Sequence, residues 1–125
     1  MTQRQHGVIL VVEDHDLNMK LFHDLLEAHG HRVLQARDGP EGLKLARQHH
    51  PDLILMDIRL PGVSGFEVTK WIREEQGLRY TPIIAITAFA MRGDEEQVRA
   101  AGCDAYIAKP ISIRNFIEVV EQFLG

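Results

Sequence analysis

The chain has 125 residues, 45% of them hydrophobic and 26% charged, with a formal net charge of −4. Those totals describe one globular domain able to bury a core and exclude a disordered chain; with one Lys and no Arg between Glu13 and Ala28, nothing favours nucleic acid or an anionic membrane. No apolar run approaches the ~20 residues of a membrane span, MTQRQHG at the start lacks the apolar stretch of a signal peptide, and Cys103 has no second cysteine to pair with, so a cytoplasmic protein without membrane insertion is expected.

The first apolar run, VILVV (8–12), has the length of a buried strand and leads straight into Glu13 and Asp14. A helix is predicted from about Leu17 to Ala28, with Asp16 capping its start and Gly30 just past its end. Its apolar face is read as Leu17, Leu21, Phe22, Leu25 and Leu26. RVLQA (32–36) is the second strand, and Pro40 suits the first turn of a helix over 41–49. LILM (53–56) is the third strand, followed at once by Asp57 and the Pro/Gly break of RLPGVSG. Ser64 can cap a helix over 65–76. IIAI (83–86) is followed by Thr87, and a fourth helix over about 93–101 stops at Gly102. AYIA (105–108) leads to Lys109 and Pro110, and Ser112 can cap a last helix over 113–124. Strand and helix alternating over such short connections imply parallel strands joined by right-handed crossovers, with helices on both faces. The near-continuous apolar strands agree, since a sheet covered on both sides has no polar face. No repeat, low-complexity tract or linker breaks the pattern, so one domain is expected.

Open α/β sheets bind ligands beyond the carboxyl ends of their strands. There the chain places Glu13 and Asp14, Asp57, Thr87 and Lys109, at the ends of four different strands. Any one alone has an ordinary explanation: a helix cap, a strand-end threonine, a solvated lysine. Together they are complementary chemistry on one rim. If strands one and three are neighbours, three carboxylates converge, and each pair at ~4 Å repels by about 1 kcal/mol in water and about 4 kcal/mol at intermediate dielectric. Something cationic must balance them, and oxygen ligands with room for water match Mg²⁺. Lys109 supplies a second cation and Thr87 a hydroxyl donor. The histidines lack the i, i+4 helical pairing of a metal site. His29, His31, His49 and His50 read as loop-like end positions, Cys103 as a small packing residue, and Trp71 as core or half-buried.

With these residues in place, the whole chain resembles the receiver domain of bacterial two-component response regulators. The resemblance implies a CheY-like (βα)5 fold, a doubly wound five-stranded parallel sheet in the order 2-1-3-4-5 with helices on both faces. Within that family DLNMKLFHDLLEA (16–28), DLILMDI (52–58), SGFEVTKW (64–71), ITAFAM (86–91) and YIAKPIS (106–112) look most similar to a single-domain cell-division regulator of alphaproteobacteria. That finer likeness implies work in cell-cycle or polarity control and recruitment to a cell pole through partners. The chain would then be one receiver over 1–125 with no output domain.

The resemblance further implies that Asp57 accepts a phosphoryl group from a phosphohistidine on a sensor histidine kinase or histidine phosphotransferase. A carboxylate is a weak nucleophile, so such a protein works by positioning and charge neutralisation. Mg²⁺, for which Mn²⁺ can substitute, would be held by Asp14, Asp57 and the backbone carbonyl of Arg59, with Glu13 acting through water. Lys109 and Thr87 would each meet a phosphoryl oxygen. A cis peptide is expected at Lys109–Pro110, where an X-Pro bond lowers the cis cost to ~0.5–1 kcal/mol. Thr87 and Tyr106 would form the switch, and the signal would leave by protein contact on the face of the fourth helix, fifth strand and fifth helix. Arg59 and Phe89 would flank the phosphoryl group and tune its lifetime. Such a protein promotes its own phosphorylation and dephosphorylation and is not a turnover enzyme on an external substrate.

Other classes fit less well. A haloacid-dehalogenase-type aspartyl phosphatase needs a second Asp where Arg59 stands, and an FMN carrier needs a phosphate-cradling loop where Glu13 and Asp14 would repel phosphate. A receiver cut from a hybrid histidine kinase and an unphosphorylated receiver-fold adaptor remain as alternatives.

Overall fold

Strands apolar on both sides need two covered faces, and the fold provides them. The computed structural model describes residues 7–88 and 92–124. Among these, five strands alternate with five helices: β1 (Val8–Val12), α1 (Asp16–Ala28), β2 (Arg32–Ala36), α2 (Gly39–His49), β3 (Leu53–Asp57), α3 (Gly65–Glu74), β4 (Ile83–Thr87), α4 (Arg92–Ala101), β5 (Ala105–Ala108) and α5 (Ile113–Leu124). A 3₁₀ turn, Gln76–Leu78, links α3 to β4. The strands are all parallel, in the order β2-β1-β3-β4-β5.

Successive strand residues point to opposite faces, and the core divides accordingly. Leu10, Val12, Ile54, Met56, Ile83 and Ala85 pack with Ala46 of α2, Val68 and Ile72 of α3, and Val98 of α4. Ile9, Val11, Leu53, Leu55, Ile84 and Ile86 pack on the other face with Met19, Phe22 and Leu26 of α1 and with Phe116 and Val120 of α5. Phe22 and Phe116 stack with ring centroids 5.2 Å apart, joining α1 to α5.

The first helix departs from its expected orientation. Its buried ridge is Met19, Phe22 and Leu26, whereas Leu17 is 73% exposed and Leu21 37%. At 3.6 residues per turn Leu17 and Leu21 lie about 160–200° around the helix from Met19, so both cannot face the core with it. Asp16 is not the cap. The N-cap is His15, whose side chain makes no capping bond, and Asp16 sits in the first turn, where a carboxylate suits the helix dipole and pairs with Arg37.

The second helix begins two residues earlier than expected, because Asp38 caps it by accepting the Glu41 N–H at 2.8 Å. Asp38→Ala should cost about 1 kcal/mol, read as a lower urea midpoint with an unchanged slope. The third helix ends at Glu74 rather than 76, and its N-cap Ser64 accepts from Glu67 as expected. At its far end Arg73 donates to the carbonyls of Gly102 and Thr81 and to the Asp104 carboxylate, fastening the turn into β5. Ser112 caps α5 through the Asn115 N–H. Cys103 is buried against Thr69, and burial pushes its thiol up, in keeping with a packing role. Trp71 is half-buried, but His31, read as a loop position, is 5% exposed and enclosed.

Candidate functional site at the carboxyl ends of the strands

Strands three and four each run one residue further than their apolar stretches. Asp57 pairs in register with Ile86, and Thr87 with Ala108, so both belong to the ladder rather than to loose loops. The ladder therefore holds Asp57 rigidly, with 3% of its surface exposed. Its Oδ1 accepts the Arg59 backbone N–H at 3.1 Å.

Glu13 continues β1 by donating its N–H to the Ala36 carbonyl at 2.9 Å. Its Oε2 accepts the His15 N–H at 3.1 Å, while Oε1 is buried without a hydrogen-bond partner. Asp14 is exposed. Carboxylate oxygens of Glu13, Asp14 and Asp57 all lie within 4.8 Å of one another. Burial, and after it the charge of Asp57, push the Glu13 carboxyl up to about 7 from its usual 4.5.

Lys109 reaches the same place from β5. Its Nζ lies 3.6 Å from Asp57 Oδ2 and 3.7 Å from Glu13 Oε1. Its N–H donates to the Thr87 carbonyl at 2.7 Å, which ties the loop after β5 to the end of β4. The Lys109–Pro110 peptide is cis, as expected. Thr87 is 6% exposed. Tyr106, two strand positions before Ala108, is half-buried and packs on the core cluster beneath α3 and α4. Arg59 is exposed, and Phe89, expected to flank the site, lies outside the described residues.

The structure thus brings Glu13, Asp14, Asp57 and Lys109 into one cluster and sets Thr87 at the adjacent strand end. Lys109 pairs with two of the three carboxylates, Glu13 and Asp57, and one divalent cation would offset the negative charge of the three. Sequence reasoning missed Gly65, whose N–H donates to the Ile58 carbonyl at 2.9 Å and which lies directly on the backbone of Asp57. The pairing of Ser64 as a cap with a glycine immediately after it was the available signal.

Against known proteins, the response regulator receiver domain family matches residues 9–121. The chain belongs to that family. It is 60% identical over 117 residues to the polar-differentiation response regulator DivK of Brucella ovis, covering 94% of this chain and 95% of the relative. The Brucella anthropi DivK is 59% identical over the same span. Among solved structures, the receiver domain of the sensor histidine kinase PA1611 from Pseudomonas aeruginosa, crystallised with magnesium coordinated in its active-site cleft, is 36% identical with a TM-score of 0.89. That match covers 96% of this chain and 98% of the other. The chemotaxis response regulator CheY4 of Vibrio cholerae is 25% identical with a TM-score of 0.91, over 95% and 99% of the two chains. The receiver is thus a DivK-like response regulator of two-component phosphorelay signalling, and its strand order is that of the CheY-like fold. No helix among the described residues is long and apolar enough to cross a membrane.

Proposed function

We propose that Asp57 is the phosphoacceptor of this receiver, taking its phosphoryl group from a phosphohistidine on a sensor histidine kinase or histidine phosphotransferase. The observation that carries the reading is a buried, ladder-fixed carboxylate with a lysine ammonium 3.6 Å from one of its oxygens. An Asp57 oxygen attacks phosphorus as the donor's N–P bond breaks, and the imidazole leaves with that electron pair. Fixing the nucleophile and offsetting charge are the two contributions a protein makes to such a transfer. The Arg59 N–H holds one Asp57 oxygen in place, Lys109 neutralises the other and then the phosphoryl group, and the Thr87 hydroxyl donates to a phosphoryl oxygen.

The site fits a hard divalent cation. Three carboxylates within 4.8 Å and a buried Glu13 oxygen lacking any hydrogen-bond partner are an unbalanced anionic set. Asp14, Asp57 and the Arg59 carbonyl would hold Mg²⁺ or Mn²⁺ with Glu13 beside them. The ion supplies positive charge to nucleophile and phosphoryl oxygens alike.

Phosphorylation adds charge and acceptor oxygens beside Thr87. Drawing Thr87 inward frees room for Tyr106, which lines a cleft of about 320 Å³ between α4 and β5 together with Glu95, Val98, Arg99 and Cys103. The face of α4, β5 and α5 is therefore the output surface. Leu17 and Leu21, exposed on α1 at its Asp14 end, give the donor an apolar landing place beside the acceptor. The protein promotes its own phosphorylation and hydrolysis rather than turning over an external substrate. It acts in the cytoplasm, and by likeness to the polar-differentiation relatives it is recruited to a pole through partners.

Incubation with acetyl phosphate and Mg²⁺ should add the mass of one phosphoryl group and change Trp71 fluorescence, with neither change in the presence of chelator. Failure to take up phosphoryl from acetyl phosphate and from a phosphorylated histidine phosphotransferase, with Mg²⁺ in excess, would end the reading.

A further inference from the structure

β5 is an edge strand of the sheet, hydrogen-bonded to β4 alone. It is four residues long, and two of the four are alanine. So short a strand with such small side chains specifies its own register weakly, yet a slip of one residue exchanges the faces that Tyr106 and Ile107 present. The same slip moves the Lys109 backbone by about 3.3 Å, and with it the ammonium that now stands 3.6 Å from Asp57 Oδ2.

At the entry to β5, Asp104 supplies what the strand lacks. Its N–H donates to the Ile83 carbonyl at 2.8 Å, and its Oδ2 accepts the Ile83 N–H at 2.8 Å. Ile83, the first residue of β4, is fully buried, so both its backbone groups need partners. One aspartate satisfies both, and the two bonds form together in one register only. The carboxylate is itself aimed from α3. Arg73 Nη2 donates to the same Oδ2 at 2.9 Å, while Nε donates to the Gly102 carbonyl at 2.9 Å and Nη1 to the Thr81 carbonyl at 2.7 Å. A planar guanidinium offers these donors in fixed directions. The clasp joins the last turn of α3, the chain entering β4 and the turn entering β5. At the exit, the Lys109 N–H to Thr87 carbonyl bond closes the β4–β5 ladder beside Asp57.

We propose that Asp104, aimed by Arg73, is a positioning residue that sets the register of β5 against β4 and thereby holds Lys109 on Asp57. This role rests on Asp57 as the phosphoacceptor, but its first consequence does not involve phosphorylation. Without the Asp104 carboxylate, β5 loses the Ile83 N–H bond and the clasp together and keeps only main-chain bonds to one neighbour. Lys109 then leaves the acidic cluster more often. Glu13, Asp14 and Asp57 stand on β1 and β3 and are untouched. With less cationic charge among them, they hold Mg²⁺ no less well.

In the metal-free protein, Asp104→Ala should lower hydrogen-exchange protection of the Lys109 amide and the hydrogen-bonded β5 amides about tenfold or more relative to those of β1 and β3. Phosphoryl uptake from acetyl phosphate should fall about tenfold, while Mg²⁺ affinity, read by Trp71 fluorescence, is equal or higher. General loosening would weaken both. Asp104→Asn keeps an acceptor for the Ile83 N–H and should restore protection to within about threefold of wild type. Arg73→Ala leaves the Ile83 bonds in place but unaimed; it should cost about threefold, with no further loss when added to Asp104→Ala. Ala46→Gly, in α2 and away from β4 and β5, should lower protection evenly across the sheet and leave uptake within about twofold of wild type. Unaltered β5 protection in Asp104→Ala, Mg²⁺ affinity falling in step with uptake, or selective loss in β5 from Ala46→Gly would each overturn the assignment. A wild type that takes up no phosphoryl group counts against Asp57 as acceptor and not against the register, which the exchange data decide.

Discussion

Replacing Asp57 by asparagine should abolish phosphoryl uptake and at the same time make the metal-free protein more stable, by about 1–3 kcal/mol above pH 7. The gain in stability comes from Glu13. Its carboxyl is 1% exposed, leaves Oε1 without a hydrogen bond, and sits against Asp57. Burial first, and the neighbouring charge second, push its pKa up to about 7 from 4.5. A carboxyl shifted upward holds its proton more tightly folded than unfolded. Its contribution to stability is therefore complete below about pH 4.5 and is lost as the pH rises through about 7. Asparagine removes the second cause and leaves the first, so the decline with pH should become shallower without vanishing. Urea midpoints at about pH 5 and pH 8, in chelator, measure the effect. Added Mg²⁺ should raise the wild-type midpoint and leave the variant nearly unchanged, since only a ligand bound to the folded state stabilises it. A variant less stable than wild type at pH 8 in chelator would show that the acidic cluster is not a repulsive one.

The same tension explains why the site could be read from the sequence. A protein does not end several buried strands on charged or polar groups without compensation, and Asp57, Thr87 and Lys109 stand where local apolar runs stop. Strands β1, β2 and β5 have their expected bounds because a short run of β-branched and aliphatic residues between turn formers has few other uses. What could not be read depends on partners distant in sequence. Whether Leu17 or Met19 faces the core is decided by the direction in which α1 lies across β1 and β3, which the leucine spacing within α1 does not contain. His31 looks like a loop residue until Glu121 and Gly7 are brought to it. Asp38 as a cap was legible in principle, since Asp two residues before Pro40 is a helix-start signal; Pro40 drew the boundary inward instead.

Gly65 offers the sharpest test of how the proposed acceptor is held. A Cβ built there would stand 2.2 Å from the Asp57 carbonyl oxygen, 2.9 Å from Ile58 Cα and 3.0 Å from the Asp57 carbonyl carbon. All three are backbone atoms at the end of β3, and none can yield without moving Asp57. The Gly65 N–H to Ile58 carbonyl bond fixes the approach from the other side. Gly65→Ala should therefore cost about 3 kcal/mol or more in stability, at the upper end of overpacking effects. In the fraction that still folds, it should slow phosphoryl uptake about 100-fold, because a displacement of about 1 Å at a reacting group has that consequence. Gly62, three residues earlier in the loop that precedes α3, is the control. Its φ is +81° and a Cβ there would meet nothing within 4 Å, so Gly62→Ala should cost only the left-handed backbone penalty of about 1–2 kcal/mol. Uptake should then be nearly normal. Equal uptake rates in the two alanine variants, measured where circular dichroism shows both folded, would mean that α3 does not position Asp57 and that the strand ladder alone holds it.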